Sequence, residues 1–461
     1  MKTFEFTNFK NHMAMKKYLI TLVFVAGAAA LFTACTSESG GPSTSISYEQ
    51  VKAAEQVPVT FGTYFGELAT TRAGLEGPMT TAKLQNTEAN GGGFGVFAYH
   101  TTSSFVAPNT TAKPNFMWNQ LVKYNTSVWE YSPIKYWPND FANGTAVDGQ
   151  STPATGSSGV QYLSFFAYAP YVSTPAAGVP GITAFTANTA TTDPKVSYKI
   201  GLTPDKCVDL LWGVAGTSSD NVVGETNQPA TAGMPFLNQT KQQVSGKINF
   251  AFEHALSCLD LTVQAARDQV SAGGTELWDA GVGAANKTRI YVDQVDITGD
   301  FPLTGDLNLN NTTASVPLWE NQSNETGTVL STTTGNSINP VLQYDNTFTR
   351  AGVLTTSATP LMNNGSENLS FMLIPVDLSA GVKTISFKIT YRVLTQDAAL
   401  DGGLSEVTNV ITKTITGINF EGRKKYTFNL VLGMTSVKVT GTVEGWGPNT
   451  DAQVDLPLNV L

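Results

Sequence analysis

From Thr384 to Val393 the chain reads TISFKITYRV, with apolar and polar residues in strict alternation. A strand sends successive side chains to opposite faces. Ile385, Phe387, Ile389, Tyr391 and Val393 therefore share one face, while Ser386, Lys388, Thr390 and Arg392 meet water. A helix, with its period of about 3.6, would scatter the same five side chains around its circumference. The period of two recurs in shorter runs, and no long helix-forming charge pattern competes with it. Charged residues make up only 14% of the chain, while Gly, Thr, Asn, Ser and Pro are abundant. The expectation is an all-β protein. No repeat of fixed short period is visible, which disfavours a solenoid or propeller.

Four apolar or aromatic runs punctuated by Gly, Pro, Asn and Thr suit the inner faces of a β-sandwich: GGGFGVFAYH (91–100), VWEYSPIKYWPND (128–140), QYLSFFAYAPY (161–171) and CVDLLWGVAG (207–216). INFAFEHALSCLDLTVQA continues the pattern through Ile248, Phe250 and Phe252, then Leu259, Leu261 and Val263. A softer stretch, SAGGTELWDAGVGAANK (271–287), precedes a second set containing RIYVDQVDITG, SFMLIPVDLS, TISFKITYRV and KKYTFNLVLG. Residues 36–461 exceed the roughly 100–200 residues usual for one domain. Two sandwich domains are expected, spanning 73–270 and 271–461.

The N-terminal region reads as a leader. MKKYLITLVFVAGAAALFTAC has a Lys16-Lys17 n-region, an apolar run from Leu19 to Leu31 and small residues before Cys35. That run is shorter than the roughly 20 apolar residues of a membrane span. Thr33-Ala34-Cys35 after Leu31-Phe32 resembles a lipobox, so cleavage would leave Cys35 as the lipidated first residue. Met15 is the expected start, because Met1 to Ala14 precede the n-region and include Glu5.

Several kinds of chemistry find no support in the residues. The net charge is −9, without basic clusters, so the footprint of a nucleic-acid partner is missing. There is no nucleophile elbow, P-loop, dinucleotide fingerprint or zinc-protease helix motif. Neither an enzyme nor a cofactor is expected. His254 and Cys258 have the i, i+4 spacing of a metal-ligand pair only in a helix. The alternation around them is that of a strand, so His254 is expected as a satisfied core or edge histidine and no metal site is expected. Cys207 and Cys258 allow either one disulfide or two buried thiols.

The two ends of the mature region share one pattern. Val57, Val59, Phe61, Thr63 and Phe65 lie on one face at period two, with Pro58 marking a strand start or an edge. Beyond Glu67 the alternation is lost, and Arg72 falls in a stretch rich in Gly and Pro, of the sort proteases nick. Near the other end, VKVTGTVEGW alternates Val437, Val439, Gly441 and Val443, and QVDLPLNVL alternates Val454, Leu456, Leu458 and Val460. A strand of that kind either completes its own sheet or leaves to complete another molecule's. Gly447 and Pro448 give the last strand a hinge-like start. Burying Val57, Val59, Phe61 and Phe65 sets an upper bound of roughly 6–12 kcal/mol on what holds the first strand.

The leader with Cys35, TRAG at 71–74, GVFAY, WEYSPIKYWP, LSFFAYAP, FEHALSCLDL, FMLIP, and KKYTFNLVLG running into VEGW together resemble the fimbrillin-like proteins, which build the type V pili of Gram-negative anaerobes. The resemblance is spread over most of the chain. It implies two transthyretin-like, Greek-key β-sandwich domains in tandem and export to the outer membrane as a lipoprotein. It also implies trimming by an arginine-specific surface protease. Carried to this chain, the scissile bond is Arg72–Ala73, and the discarded segment, 35–72, contains the Val57–Phe65 strand. The resemblance then implies that a second copy or a related pilin subunit fills the vacated groove with a strand from 437–461. The product is an extracellular fimbrium that adheres through a host or bacterial surface receptor. The rival reading is an anchored surface lipoprotein that stacks sugar rings on Trp118, Trp129, Tyr131, Tyr136 and Trp137.

Overall fold

The computed structural model describes residues 57–64, 78–86, 92–138, 141–142, 145–146, 161–216, 231–239, 247–266, 286–333, 337–346, 352–353, 357–364, 367–379, 383–397, 399–446, 453–456 and 458–460. The first part of the chain forms β1 (Thr60–Tyr64), the single helical turn α1 (Thr81–Leu84), β2 (Phe94–Thr101), β3 (Met117–Asn125), β4 (Val128–Glu130), the two-residue β5 (Phe141–Ala142) and β6 (Thr145–Ala146), and β7 (Tyr162–Ala169). It continues with β8 (Gly181–Phe185), β9 (Lys195–Lys199), β10 (Leu211–Ala215), β11 (Phe236–Gln239), β12 (Lys247–His254), β13 (Ser257–Ala265) and β14 (Asn286–Gly299). Next come β15 (Thr304–Asn308), β16 (Leu318–Glu320), β17 (Thr328–Thr333), β18 (Thr359–Pro360), β19 (Phe371–Leu373) and β20 (Val376–Leu378). The last are β21 (Thr384–Asp397), β22 (Leu404–Thr416), β23 (Ile418–Phe420), β24 (Lys424–Leu432), β25 (Val437–Gly445), β26 (Val454–Asp455) and β27 (Asn459–Val460). The protein is all-β, as its alternation requires, and its sheets pack in sandwich fashion.

The first sheet has the order β10-β12-β1-β4-β3-β2-β7-β11, and β10 also pairs with β7. The strands from β10 round to β7 thus form a closed circuit. Its inside is lined by Val59 and Phe61 of β1 and its lead-in, Phe94 and Val96 of β2, Leu163 and Phe165 of β7, Leu211 of β10, and Ile248 and Phe250 of β12. The alternate residues of the same strands, among them Phe97, Phe166, Tyr168, Trp212 and Val214, turn outward into a second and larger core. β2, β7, β10 and β12 are walls between two cores. Their sequences are therefore apolar almost without interruption, whereas a wall wet on one face would alternate.

The larger core is shared with the later sheets. One has the order β17-β14-β21-β22-β27, another β18-β13-β24-β25-β26, and a third β16-β15-β9-β8. In β21, Ile385, Phe387, Ile389, Tyr391 and Val393 are all buried, as the alternation requires. On its other face Arg392 chelates Asp293, donating from Nε to Oδ2 at 2.9 Å and from Nη2 to Oδ1 at 2.7 Å.

INFAFEHALSCLDLTVQA makes two strands in two different sheets. β12 belongs to the first sheet, the chain turns at Ala255 and Leu256, and β13 runs parallel to β24 from Cys258↔Lys425 to Ala265↔Leu432. A return traffic runs the other way, because β15 pairs with β9 from Thr304↔Lys199 to Asn308↔Lys195. Among the described residues 128–138 only Val128–Glu130 is strand, with Tyr136 in an isolated bridge to Pro58. Pro133 and Pro138 lack the N–H groups a ladder needs, and the rest packs as an ordered loop. Cys207 and Cys258 are both free thiols and both buried. Burial pushes the Cys207 thiol up to about 12 and that of Cys258 well above its ordinary value.

Candidate functional site

β1 is the strand on which closure of the first sheet depends. It runs parallel to β12, with Thr60↔Lys247, Phe61↔Ile248, Gly62↔Asn249, Thr63↔Phe250 and Tyr64↔Ala251 as partners. Its other edge meets β4 at Phe61↔Trp129. Just before β1, the Val59 N–H donates to the Lys135 carbonyl at 2.8 Å and the Trp137 N–H donates to the Val57 carbonyl at 2.9 Å. Among the described residues no other strand pairs with both β12 and β4. Lifting β1 out would open the circuit along its length.

The inward face of β1 is held by aromatic packing. Val59 has no exposed surface and Phe61 is 3% exposed. The Phe61 ring centroid lies 5.4 Å from that of Tyr131, 5.9 Å from Phe165, 6.1 Å from Phe250 and 6.3 Å from Phe94. The Tyr131 hydroxyl donates to the Val59 carbonyl at 2.8 Å and accepts from the Lys135 N–H at 3.1 Å. Burial raises the pKa of that hydroxyl above its ordinary 10.0. Gly62 leaves room on the outer face for the buried amide of Asn249. A Cβ at 62 would stand 2.0 Å from Asn249 Oδ1. Neither the oxygen nor the nitrogen of that amide has a hydrogen-bond partner among the described residues.

The aromatic residues read as sugar platforms are mostly walls of this slot or of the neighbouring core. Tyr131 and Trp137 are buried, and Trp137 packs on Phe165 at 5.8 Å. Trp129 lies 5.1 Å from Phe94, and Trp118 lies 5.0 Å from Phe97. Tyr136 is exposed. One exposed ring on a loop is not a stacking platform; Trp129, Tyr131 and Trp137 frame β1, and Trp118 packs against the larger core.

Further along, the chain is anchored again. The Met79 N–H donates to Asp209 Oδ2 at 2.8 Å, and Met79 and Leu84 are buried in the inner cluster. Thr80 caps α1 by accepting from the Lys83 N–H at 3.3 Å. Asp209 Oδ2 also meets His254 Nδ1 at 2.7 Å, both side chains being fully enclosed. His254 is thus a core histidine satisfied by a carboxylate. Trp446, just past β25, stacks on it at 3.8 Å with 12° between the rings. No local pattern in the sequence marks this Met79–Asp209–His254–Trp446 chain of contacts, because its members meet only in the fold.

The C-terminal residues are held very differently. Val437 and Val439 are buried in β25, which pairs with β24 along its whole length from Val437↔Leu432 to Gly445↔Lys424. Val443, in the same strand, is partly buried. Beyond it, β26 pairs with β25 only at Thr442↔Asp455 and Val443↔Val454. The Leu456 N–H donates to the Gly441 carbonyl at 2.9 Å. The chain then crosses to another sheet, where β27 pairs with β22 at Ile415↔Val460 and Thr416↔Asn459. Val454 is 59% exposed, while Leu456 and Leu458 pack partly against the larger core. A cavity of about 450 Å³ lies beside them, lined in part by Tyr426, Val443, Val454 and Leu456. Cys35, Phe65, Arg72 and Ala73 lie outside the described residues.

No family model matches the chain. It is 22% identical over 374 residues to the fimbrium subunit Fim1C of Phocaeicola vulgatus, a match covering 79% of this chain and 84% of that protein. Its fold is similar to that of a fimbrial protein from Bacteroides vulgatus, with a TM-score of 0.56 and 20% identity over 85% of this chain and 100% of the other. In sequence and in fold the chain resembles the fimbrillin-like proteins. The likeness in sequence covers 79% of the chain and the likeness in fold 85% of it.

Proposed function

We propose that this fimbrillin-like chain is a structural subunit of a surface fimbrium that serves in adhesion, assembled by proteolysis-triggered exchange of β1. In this reading the precursor reaches the outer membrane as a lipoprotein acylated on Cys35. An arginine-specific surface protease then cuts Arg72–Ala73. Residues 73–270 and 271–461 serve as its two sandwich domains, the partners are copies of itself or related pilin subunits, and the adhesive target is a host or bacterial surface receptor. No catalysis is involved.

The observation that carries this reading is the position of β1 as the one described strand that pairs with both β12 and β4. A strand so placed cannot leave without exposing two ladder edges and an aromatic cavity, which is an acceptor for another strand. The two buried side chains of β1 and its lead-in, Val59 and Phe61, contribute roughly 3–6 kcal/mol as an upper bound, so spontaneous release is rare and a covalent cut makes departure irreversible. Met79, anchored on Asp209, lies beyond the cut and holds the shortened chain in place. Donor tail and acceptor slot are different surfaces, so the contact does not close on itself and copies add into a filament.

Two variants expressed on cells test the reading. Arg72→Ala is expected to leave an acylated, unpolymerised precursor, read by N-terminal analysis and by the loss of SDS-resistant ladders. Deletion of 452–461 is expected to leave a folded, cleaved monomer that forms no fibres. Ladders from Arg72→Ala would overturn the triggering step, and normal fibres from the deletion would overturn the tail as donor.

A further inference from the structure

We infer that the donor tail enters the vacated slot in one register, with Leu456-Pro457-Leu458-Asn459-Val460 lying where Val57-Pro58-Val59-Thr60-Phe61 lay. This deepens the strand-exchange reading above and rests on it. The two pentapeptides share one order: apolar, proline, apolar, polar, apolar. The proline is what pins the register. The Val59 N–H and the Val57 carbonyl face the 135–137 stretch. Odd-numbered residues of the leading strand therefore turn their backbone groups to that side, and even-numbered ones turn them to β12. The described β12 ladder begins at Thr60↔Lys247, so Pro58 precedes its first pair, and the missing N–H takes no bond from the described ladder.

The other registers are worse for stated reasons. A slip of one residue turns every apolar side chain of the tail outward. A slip of two in one direction puts Pro457 at Thr60, inside the β12 ladder, where its absent N–H removes a bond. It also puts Asn459 opposite the unpartnered Asn249 amide, which makes this the strongest rival. A slip of two the other way sets Leu461 at the exposed Thr60 position and leaves the Phe61 cavity without Val460. In the proposed register Leu458 takes the fully buried place of Val59 and Val460 that of Phe61. The larger Leu458 partly offsets the smaller Val460. Leu461 then stands at Gly62, against Asn249, whose amide turns aside without breaking a hydrogen bond, since it makes none among the described residues.

The test is cysteine pairing in full-length chain processed and assembled on cells. A copy carrying Asn459→Cys and Lys247→Cys is expected to give reducible ladders linked between copies, because position 459 then lies opposite 247. A copy carrying Asn459→Cys and Asn249→Cys is expected to give about tenfold less, since Cα atoms more than about 7 Å apart do not bridge. Assembled wild-type chain, whose Cys207 and Cys258 are buried, gives the background. Preferential bridging of 459 to 249 would overturn the register while leaving strand exchange standing. Fibres in which neither pair bridges would overturn both the register and the tail as donor. Pro457→Ala supplies a second arm: with the pin removed, the 249 pair is expected to gain on the 247 pair, and an unchanged ratio would overturn the role given to the proline.

Discussion

β1 and the C-terminal tail are written in nearly the same alternating code, yet the fold grips them with unequal force. β1 has five partners on β12, a bridge to β4 and a phenylalanine ringed by four aromatic side chains. The tail is divided between two sheets, with two pairs on β25 and two on β22, and its Val454 faces solvent. Period two specifies which side chains face inward. It does not specify how deep the inward face goes or how many ladder bonds hold the backbone. Those depend on what the strand lies between, and β1 lies between two walls while the tail lies along edges.

The largest effect that can break this comparison comes from Phe61→Ala in uncleaved chain. Emptying the aromatic cavity is expected to cost about 3–5 kcal/mol in denaturant unfolding. The matching cut in the tail, Leu458→Ala, is expected to cost the uncleaved chain only about 1–2 kcal/mol, because that side chain is already partly exposed. Equal losses at the two sites would end the claim of unequal grip. Tyr131→Phe removes the hydroxyl that donates to Val59 and is expected to cost about 1 kcal/mol, read as earlier proteolytic release of β1.

The same hydroxyl predicts a pH dependence. Its folded pKa is raised by burial above the ordinary 10.0. Its contribution is therefore complete below the unfolded value of 10.0 and is lost as pH rises through the higher folded value. Wild-type chain should loosen at β1 in alkali, and Tyr131→Phe should lose that part of the response. The smallest effect belongs to Val454→Ala, expected within about 0.5 kcal/mol of wild type in the uncleaved chain. A larger loss would mean that β26 is held more firmly than its exposure indicates.

Local pattern made much of this architecture legible. TISFKITYRV lies in β21 with all five apolar residues buried, and the strand character of GVFAY, LSFFAYA and LLWGVA follows from apolar runs between breakers. Those runs suit the inner faces of a sandwich, but their burial on both faces, between two cores, is visible only in the fold. Non-local pairing left no trace to read. Nothing in VPVTF says that it runs parallel to β12, and nothing in SCLDLTVQA says that it leaves the sheet of the residues just before it. β22 was hidden because its face is largely exposed and its valines carry no inward stripe. The histidine at 254 was read correctly as satisfied, but its partner Asp209 lies 45 residues away, beyond any local spacing rule. Whether the aromatic residues of the 128–138 region face solvent or the core is not legible in the sequence: Trp129, Tyr131 and Trp137 frame β1 and Tyr136 is exposed, because composition reports ring content and only the fold reports which way a ring points.

The stack of Trp446 on His254 bears on the geometry of a fibre. It is the last firm rivet before the tail, and Leu456 follows ten positions later in the numbering. Fully stretched, such a leash measures at most about 33–36 Å. In a chain that lends its tail to a neighbour, that length caps the distance from the rivet of one subunit to the receiving slot of the next. The spacing of beads along the filament is then bounded by a short piece of covalent string, and lengthening or shortening the stretch from 447 to 453 should lengthen or forbid the repeat.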